Sequence, residues 1–354
     1  MDSLVTLPGV MAGIMLLALN AYVLLGGADF GGGVWDLFAR GPRREQQRAL
    51  IAHAIGPIWE ANHVWLILVV VLLFTCFPPA FAIISTELHV PLTVMLFGVV
   101  LRGSAFTFRT YDAQDDGAQR RWGLVFSLSS ILTPAALGAC IGAIASGAVG
   151  RASALGEVPF AARFVAPWTN PFVLGVAAFS LALFSFLAAV YLTVEAGEDV
   201  GLQRDFRRRA LLAGMAVFVC AFGTLAMADE HAPRVLAGVM RSPAALPLQL
   251  ATGIAAILAF AALLARRYRL ARLAAGAQVS LIVWGWGMSQ YPYLIPPSLT
   301  VHDAAAPAIT MRLTLIALAA GAVILIPSLW YLYRVFKAHP SAFDSLTEST
   351  TGHG

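Results

Sequence analysis

Long apolar stretches, separated by short polar connections, follow one another along almost the whole chain. A helix that crosses a bilayer needs about 20 mostly apolar residues. By this rule the sequence predicts nine membrane-spanning helices, at residues 9–35, 50–75, 80–106, 123–146, 170–194, 209–228, 247–265, 273–291 and 309–335. We therefore expect an all-α, polytopic membrane protein, with a single transmembrane domain over residues 1–337 and a polar cytoplasmic tail over residues 338–354.

The composition indicates the same class of protein. Hydrophobic residues make up 59% of the chain and charged residues only 12%, whereas a soluble domain carries about 25% charged residues. The net charge of +4 does not point to nucleic acid, and we expect no nucleic-acid partner. Cys76, Cys140 and Cys220 are too far apart for a paired metal-binding motif. We interpret them as packing residues and expect no metal site built from them.

The basic residues predict the orientation in the membrane. Most of the 23 lysines and arginines lie in alternate connections, around residues 40–48, 109–121, 204–209, 266–272 and 334–337. Basic residues favour the cytoplasmic side because they resist translocation. The pattern predicts an N-terminus outside the membrane and a C-terminus in the cytoplasm. Its alternation across every connection also favours nine spans.

Ionisable residues interrupt the apolar stretches mainly in the first third of the chain. They are Asp29 in the first predicted helix with Asp36 directly after it, His53, Glu60 and His63 in the second, and Glu87, His89 and Arg102 in the third. Such groups are costly inside a bilayer, and they face protein or water rather than lipid. This part of the chain is therefore where we expect the chemistry.

Two of these carboxyl groups are expected at similar depth. Asp29 lies eleven residues before Arg40, which is roughly 16 Å at about 1.5 Å per residue. Glu60 lies twelve residues after Arg48, which is roughly 18 Å by the same rise. The two helices run antiparallel through one short loop, so we expect them to be neighbours.

The residues alone leave two roles open for this group. His53, Glu60 and His63 share one face of a helix by their spacing and would form a polar column that rises from the cytoplasm. A chain of Asp, Glu and His across half a membrane is what a proton relay needs. Alternatively, Asp29, Glu60 and Arg102 form a fixed, ion-paired brace. One group can also do both.

Other features of this region have a functional and a packing interpretation. The histidines could ligate haem or a metal, but no HxxxH pattern supports ligation. Trp59, beside Glu60, could contact a quinone ring, although aromatic packing is the more common role. The glycines around Asp29, within residues 26–33, would let another helix approach closely, as small residues do in membrane proteins.

These motifs resemble subunit II of the cytochrome bd-type quinol oxidase family. The resemblance rests on residues 26–33 with their acid, residues 56–67, residues 74–81 with their proline pair, and residues 101–109. It covers roughly residues 20–112, and the rest of the chain agrees only in helix count and hydropathy. The His-Val-Pro-Leu and Leu-Arg-Gly stretches are similar to the branch called cyanide-insensitive.

The resemblance implies a function and partners that composition does not show. Members oxidise quinol and reduce oxygen to water in the bacterial cytoplasmic (inner) membrane. Their haem b and haem d are ligated mainly by subunit I, so this chain would carry few haems or none and pair with that haem-bearing subunit. Some members bind a structural quinone, and a small accessory single-helix subunit is a further expected partner beside membrane lipid and quinol. The implied fold is two four-helix bundles plus one peripheral helix.

The resemblance also assigns roles to individual positions. We expect Asp29, Glu60, His63 and Arg102 to serve a proton path or to support the haem region, and Trp59 and Arg102 to lie near a quinone or a haem propionate. Some members have Asp at the position of Glu60, which keeps an acid there. Some have an acid at the position of Thr107, which puts a relay through that point in doubt.

Two other classes of function are compatible with the pattern. The chain could be a proton-coupled secondary transporter with Asp29 and Glu60 as its coupling site, or a purely structural membrane scaffold. Transporters usually show paired broken helices in corresponding halves. Here the polar residues cluster in the first three predicted helices, which favours a subunit that packs against a partner subunit.

Overall fold

Helices form nearly all of the structure, which is a computed structural model describing residues 6–56, 59–111, 116–150, 159–242 and 245–338. The helices are α1 (Leu7–Leu37), α2 (Arg44–Ile55), α3 (Trp59–Cys76), α4 (Pro78–Glu87), α5 (His89–Tyr111), α6 (Asp116–Ala145), α7 (Phe160–Phe164), α8 (Ala166–Thr169), α9 (Pro171–Glu195), α10 (Val200–His231), α11 (Pro233–Arg241), α12 (Ala245–Leu264), α13 (Tyr268–Gln290) and α14 (Ala308–Ala338). Between α13 and α14, strand β1 (Tyr293–Ile295) pairs antiparallel with β2 (Leu299–Thr300).

Eight of the described helices are long and apolar enough to cross a membrane: α1, α3, α5, α6, α9, α10, α12 and α14. The predicted class, an all-α polytopic membrane protein, is confirmed. The segment predicted at 273–291 lies on α13, which has 23 residues and is less apolar than the eight. Its buried residues include Gln278 and Gln290. The count of nine spans therefore remains a prediction.

Two predicted spans are divided in the structure. The segment 50–75 is shared between α2 and α3, with residues 57–58 outside the described part, and 80–106 is shared between α4 and α5. Proline explains the second division. The ring nitrogen of Pro91 carries no hydrogen to donate to the carbonyl of Glu87, where α4 ends, and proline is tolerated in the first turn of a new helix. A hydropathy pattern misses this because one long helix and two shorter ones are equally apolar.

The long helices pack as two groups of four. In the first group α5 packs on α6, and α1 packs on both α3 and α6. In the second group α9 packs on α10 and α13, and α12 packs on α13. Helix α9 joins the groups because it also packs on α1 and α6, whereas α14 lies outside and contacts α3 and α1. This arrangement agrees with the two bundles and the peripheral helix that the family resemblance implies.

The glycine-rich part of α1 allows a close approach between the two groups. A methyl group added at Gly31 would overlap the main-chain carbonyl of Phe184 on α9, and one added at Gly33 would overlap the hydroxyl of Ser130 on α6. The expected close approach at these glycines is confirmed. Because α1 is held on both sides here, Asp29 is placed among neighbouring helices rather than at the surface.

Candidate functional site

A buried carboxyl group lies at the centre of the site. Asp29 is 7% exposed on α1, and its Oδ2 accepts a hydrogen bond of 2.6 Å from the side-chain nitrogen of Asn62 on α3. Asn62 is 1% exposed. Its amide oxygen accepts a second bond, also 2.6 Å, from the hydroxyl of Tyr333 on α14. Three helices that are far apart in sequence therefore meet through one chain of hydrogen bonds.

Arg102 on α5 is a cation that lies beside this row of hydrogen bonds. It is 1% exposed, and its Nη2 donates a hydrogen bond of 3.0 Å to the main-chain oxygen of Asp29. Its guanidinium carbon lies 4.8 Å from the ring centre of Phe30 and 5.2 Å from that of Phe126. A guanidinium held over aromatic faces is stabilised by their electron density. Arg102 thus ties α5 to α1 and α6 inside the protein.

His63 and Trp59 lie beside the same site within a layer of aromatic rings. The His63 ring is 5.9 Å from those of Tyr22 and Trp59 and 6.0 Å from that of Phe30. Trp59 also packs tightly against α5, where a Cβ atom added at Gly103 would lie 2.7 Å from the indole ring. Both side chains therefore have packing roles, whatever else they do.

Glu60 does not join Asp29. It lies in the first turn of α3 and is exposed, and Asn62 is the residue of this turn that reaches the carboxyl. Residues two apart in a helix point to nearly opposite sides, since one turn takes 3.6 residues. The prediction that α1 and the helix carrying Glu60 are neighbours is confirmed, but the two carboxyl groups face different ways.

The polar column expected along one helix face is not formed as a single row. His53 lies on α2, whereas Glu60 and His63 lie on α3. His53 and Glu60 are exposed, and His63 is half-buried among the rings described above. The structure therefore brings together Asp29, His63, Trp59 and Arg102 and leaves Glu60 and His53 on the surface of the chain.

Glu87 and His89 lie at the opposite end of α5 from Arg109, near the predicted outer side. Glu87 is fully buried, and its Oε2 accepts a hydrogen bond of 2.7 Å from the main-chain nitrogen of Gly150. The exposed His89 ring lies edge-on to Phe164, with 4.9 Å between ring centres. These two residues hold connecting segments in place, away from Asp29.

A second ionic group, centred on Asp36, occupies the predicted cytoplasmic end of α1. The Asp36 side chain is 2% exposed and pairs with Arg109 at 3.1 Å and with Arg48 at 3.9 Å. The hydroxyl of Ser127 donates to the same carboxylate at 3.3 Å. Beside it lies a cavity of about 150 Å³ lined by Asp36, Ile51, Ala52, Phe106, Arg109 and Phe126. Two cations balance this carboxylate, so the group is suited to joining α1, α2, α5 and α6.

The connection from α1 to α2 is anchored to the second helix group in the same way. Nε and Nη2 of Arg43 donate hydrogen bonds of 2.9 and 2.7 Å to the carboxylate of Asp205 on α10. This hydrogen bonding raises the pKa of Arg43 above its ordinary value, so its charge persists. Gln47 donates to the same carboxylate at 2.9 Å and accepts a bond of 2.6 Å from Arg209.

Among the described residues, no three or more His, Cys, Asp or Glu side chains lie together so that they could hold a metal ion. The His63 ring is enclosed by aromatic rings, and the two described cavities, of about 150 and 210 Å³, are not lined by histidine. Sites for cofactors usually occupy about 300–1,000 Å³.

Asn62 and Tyr333 are site residues that the sequence analysis missed. An amide and a tyrosine are not conspicuous in a membrane helix, whereas an acid or an arginine is. Asn62 does stand inside residues 56–67, one of the stretches on which the family resemblance rests, and that position is its signal in the sequence. Tyr333 lies 271 residues from its partner, and no local pattern connects the two.

Comparison with known proteins places this arrangement in a family. The model of the family described as cytochrome bd terminal oxidase subunit II matches residues 7–336. A Bacillus subtilis (strain 168) protein, provisionally named a cytochrome bd menaquinol oxidase subunit II, is 24% identical over 322 residues, which cover 89% of this chain and 91% of that protein. The cytochrome bd-I ubiquinol oxidase subunit 2 of Escherichia coli (strain K12) is 22% identical over 210 residues, or 59% of this chain and 53% of that one.

A solved structure shows the same fold. A chain of the bd oxidase from Geobacillus thermodenitrificans superposes with a TM-score of 0.76 at 23% identity, over 93% of this chain and 98% of that chain. The fold agrees over nearly the full length, and the family model spans the helices that carry Asp29, Asn62, Arg102 and Tyr333. This multi-pass bacterial membrane protein therefore belongs to the cytochrome bd terminal oxidase subunit II family.

Proposed function

We propose that this chain is the second subunit of a membrane-bound terminal oxidase that oxidises quinol and reduces oxygen to water, working with a haem-bearing subunit I. The match to the family model over residues 7–336 is the observation that carries this proposal. The names of the relatives, which are menaquinol and ubiquinol oxidase subunits, support the reaction class. The two relatives are named for different quinols, so the proposed substrate is a quinol without a choice between them.

The haem b and haem d of the complex belong, in this proposal, to subunit I. The enclosed position of His63 and the small size of the described cavities support this assignment. Quinol would supply the electrons, and haem held by subunit I would pass them to oxygen. This chain's own residues hold the helices that face the partner and keep Asp29 away from lipid.

We further propose that the subunit contributes part of a cytoplasmic proton path. Asp29 supports this role because it is a buried carboxyl whose hydrogen-bond chain leads to Tyr333, near the predicted cytoplasmic end of α14. Glu60 supports it in a second way. An exposed acid on a spanning helix is costly against lipid, so its side of α3 faces subunit I or water.

In this proposal Arg102 supports the proton path by holding Asp29 in position. It is buried and bonded to α1, so it positions Asp29 rather than reaching a haem propionate of the partner. Thr107 takes no part, because its hydroxyl donates to the carbonyl of Gly103 on its own helix at 3.1 Å. A structural quinone near Trp59 would have to pack elsewhere than on the outer edge of the six-membered ring, because Gly103 lies against that edge.

Purification tests the assignment directly. The chain, tagged and expressed in its native operon context, is extracted in mild detergent, and the product is examined by optical spectroscopy and by oxygen consumption with a quinol substrate. We expect a coloured complex in which b- and d-type haem bands co-purify with this chain and in which quinol drives oxygen uptake. A colourless polypeptide that purifies alone and transports a solute would overturn the proposal.

A further inference from the structure

We propose that Asn62 and Tyr333 form an amide switch, which lets Asp29 gain and lose a proton without losing its hydrogen bond. The inference deepens the proposed proton path and rests on it. It assigns a positioning role to two residues: Asn62 contacts the carboxyl group directly, and Tyr333 acts through Asn62.

The hydrogen bonds in the structure correspond to the ionised form of Asp29. An ionised carboxylate only accepts hydrogen bonds. It accepts one from the Asn62 nitrogen at 2.6 Å. The amide oxygen then points away from Asp29 and accepts from the hydroxyl of Tyr333, also at 2.6 Å. Every group in this row has a partner of the right kind.

Protonation of Asp29 at Oδ2 changes what this oxygen needs from Asn62. Oδ2 is then a hydroxyl that donates, and the nitrogen of Asn62 cannot accept from it. A half-turn of the amide exchanges its oxygen and nitrogen, which have nearly the same size and shape. The oxygen of Asn62 then accepts from Asp29, and its nitrogen donates to the oxygen of Tyr333. One proton is added at Asp29, the two hydrogen bonds of the row are exchanged for two of opposite direction, and no other covalent bond changes.

A tyrosine is suited to the far end of this row because its hydroxyl both donates and accepts. It can serve either orientation of the amide. Asn62 is 1% exposed, so no solvent is available to replace Tyr333 as its partner. A buried polar group that lacks a partner is strongly disfavoured. Without the hydroxyl, both orientations of Asn62 would be penalised and Asp29 would be held less firmly.

Other charged or titratable groups lie around this row and are common to both orientations. Tyr22 on α1, Arg102 on α5 and Tyr333 on α14 interact electrostatically with Asp29. His63 on α3 interacts with Arg102, and Tyr191 on α9 interacts with Tyr333. Arg102 bonds the main-chain oxygen of Asp29, which leaves that contact unchanged when the side chain titrates. In this proposal the amide of Asn62 is the group that responds to the proton on Asp29.

The test compares Tyr333→Phe with Tyr331→Phe in the assembled oxidase complex. Both changes remove one hydroxyl from the same helix, but Tyr331 is 66% exposed and two residues away. Infrared difference spectra between oxidised and reduced enzyme identify the carboxylic-acid band of Asp29 as the band that Asp29→Asn removes. Haem content, turnover with quinol and the pH dependence of turnover are measured on the same samples.

We expect the Tyr333→Phe complex to keep its haem and to show a shifted Asp29 band. Its turnover should fall by about fivefold, a change equivalent to about 1 kcal/mol, and its pH profile should be displaced. Tyr331→Phe should match the unmodified complex. An unshifted band with normal turnover in Tyr333→Phe, together with slow turnover in Asp29→Asn, would overturn the switch and leave the proton path standing. Loss of haem in Tyr333→Phe with an unshifted band would assign a purely structural role instead. Normal turnover in Asp29→Asn would overturn the path and the switch together.

Discussion

Arg102 and Asp29 are joined through the main chain: the guanidinium donates a hydrogen bond of 3.0 Å to the backbone oxygen of the acid. The carboxyl group of Asp29 meanwhile faces the amide of Asn62. The residues alone left a structural brace and a proton relay as alternatives. In the structure the brace uses the main-chain oxygen of Asp29, whereas a relay would use its carboxyl group. A fixed contact through the backbone is compatible with a side chain that titrates.

Replacing Arg102 by Leu should prevent assembly of the haem region. The change leaves the main-chain oxygen of Asp29 without this buried donor, and an unsatisfied buried acceptor costs about 1–3 kcal/mol. The reduced-minus-oxidised haem spectrum of the purified complex measures the effect. Arg44→Leu is a control, because the Arg44 side chain is 52% exposed. Normal haem spectra in Arg102→Leu would refute a bracing role.

Asp29→Asn should slow turnover by about tenfold or more while haem content stays unchanged, since a positioned proton-transfer group is commonly worth that much. Asparagine keeps the shape of the side chain, so α1 should insert and pack normally. Quinol-driven oxygen uptake and haem content are the two measurements. A variant that retained full quinol oxidation would count against the proton path.

Glu60→Gln should slow oxygen reduction without loss of haem, because the exposed acid is proposed to face subunit I or water. The matched control is Glu198→Gln, an equally conservative change at an exposed acid between α9 and α10. The control should behave as the unmodified complex does. If oxygen reduction and haem content both stayed normal in Glu60→Gln, a relay through this residue would be wrong.

Gly31→Ala should destabilise the subunit, whereas Gly13→Ala on the same helix should not. The added methyl group at Gly31 meets the backbone of Phe184, and overpacking of this kind costs about 1–3 kcal/mol. At Gly13 no atom lies within 4 Å of the added group, and alanine is the better helix former by roughly 0.5–1 kcal/mol. Thermal stability and yield of the complex distinguish them; equal stability would contradict the close packing of α1 on α9.

Asp36→Leu should weaken the predicted cytoplasmic end of the first helix group. Arg109 and Arg48 would lose their shared anion, and breaking a buried pair from one side costs about 3–5 kcal/mol. The exposed pair of Arg44 and Glu45, 4.0 Å apart, is the comparison, since surface pairs contribute about 0–1 kcal/mol. Heat inactivation should separate Asp36→Leu from Glu45→Leu; similar curves would show that the Asp36 cluster contributes little.

Glu60 illustrates where sequence reasoning succeeds and where it stops. Counting along the helices correctly made α1 and α3 neighbours near Asp29, because helix rise is regular and the connecting loop is short. The direction of each side chain depends on how the helices are rotated against each other. That rotation turned Asn62 inward and Glu60 outward, and it is set by packing at Trp59, Gly103 and the rings around His63.

The amino-acid sequence by itself determined the membrane class, most of the spanning helices and the identity of the unusual residues, because bilayer thickness and the cost of charge in lipid act on each segment separately. Only the tertiary structure decided which of these residues meet. Asp29, Asn62, Arg102 and Tyr333 lie on four different helices, and their contacts follow from close packing at Gly31 and from the docking of α14 on α1 and α3. Hydrogen bonds of this kind join atoms across the fold, and no pattern along one helix contains them.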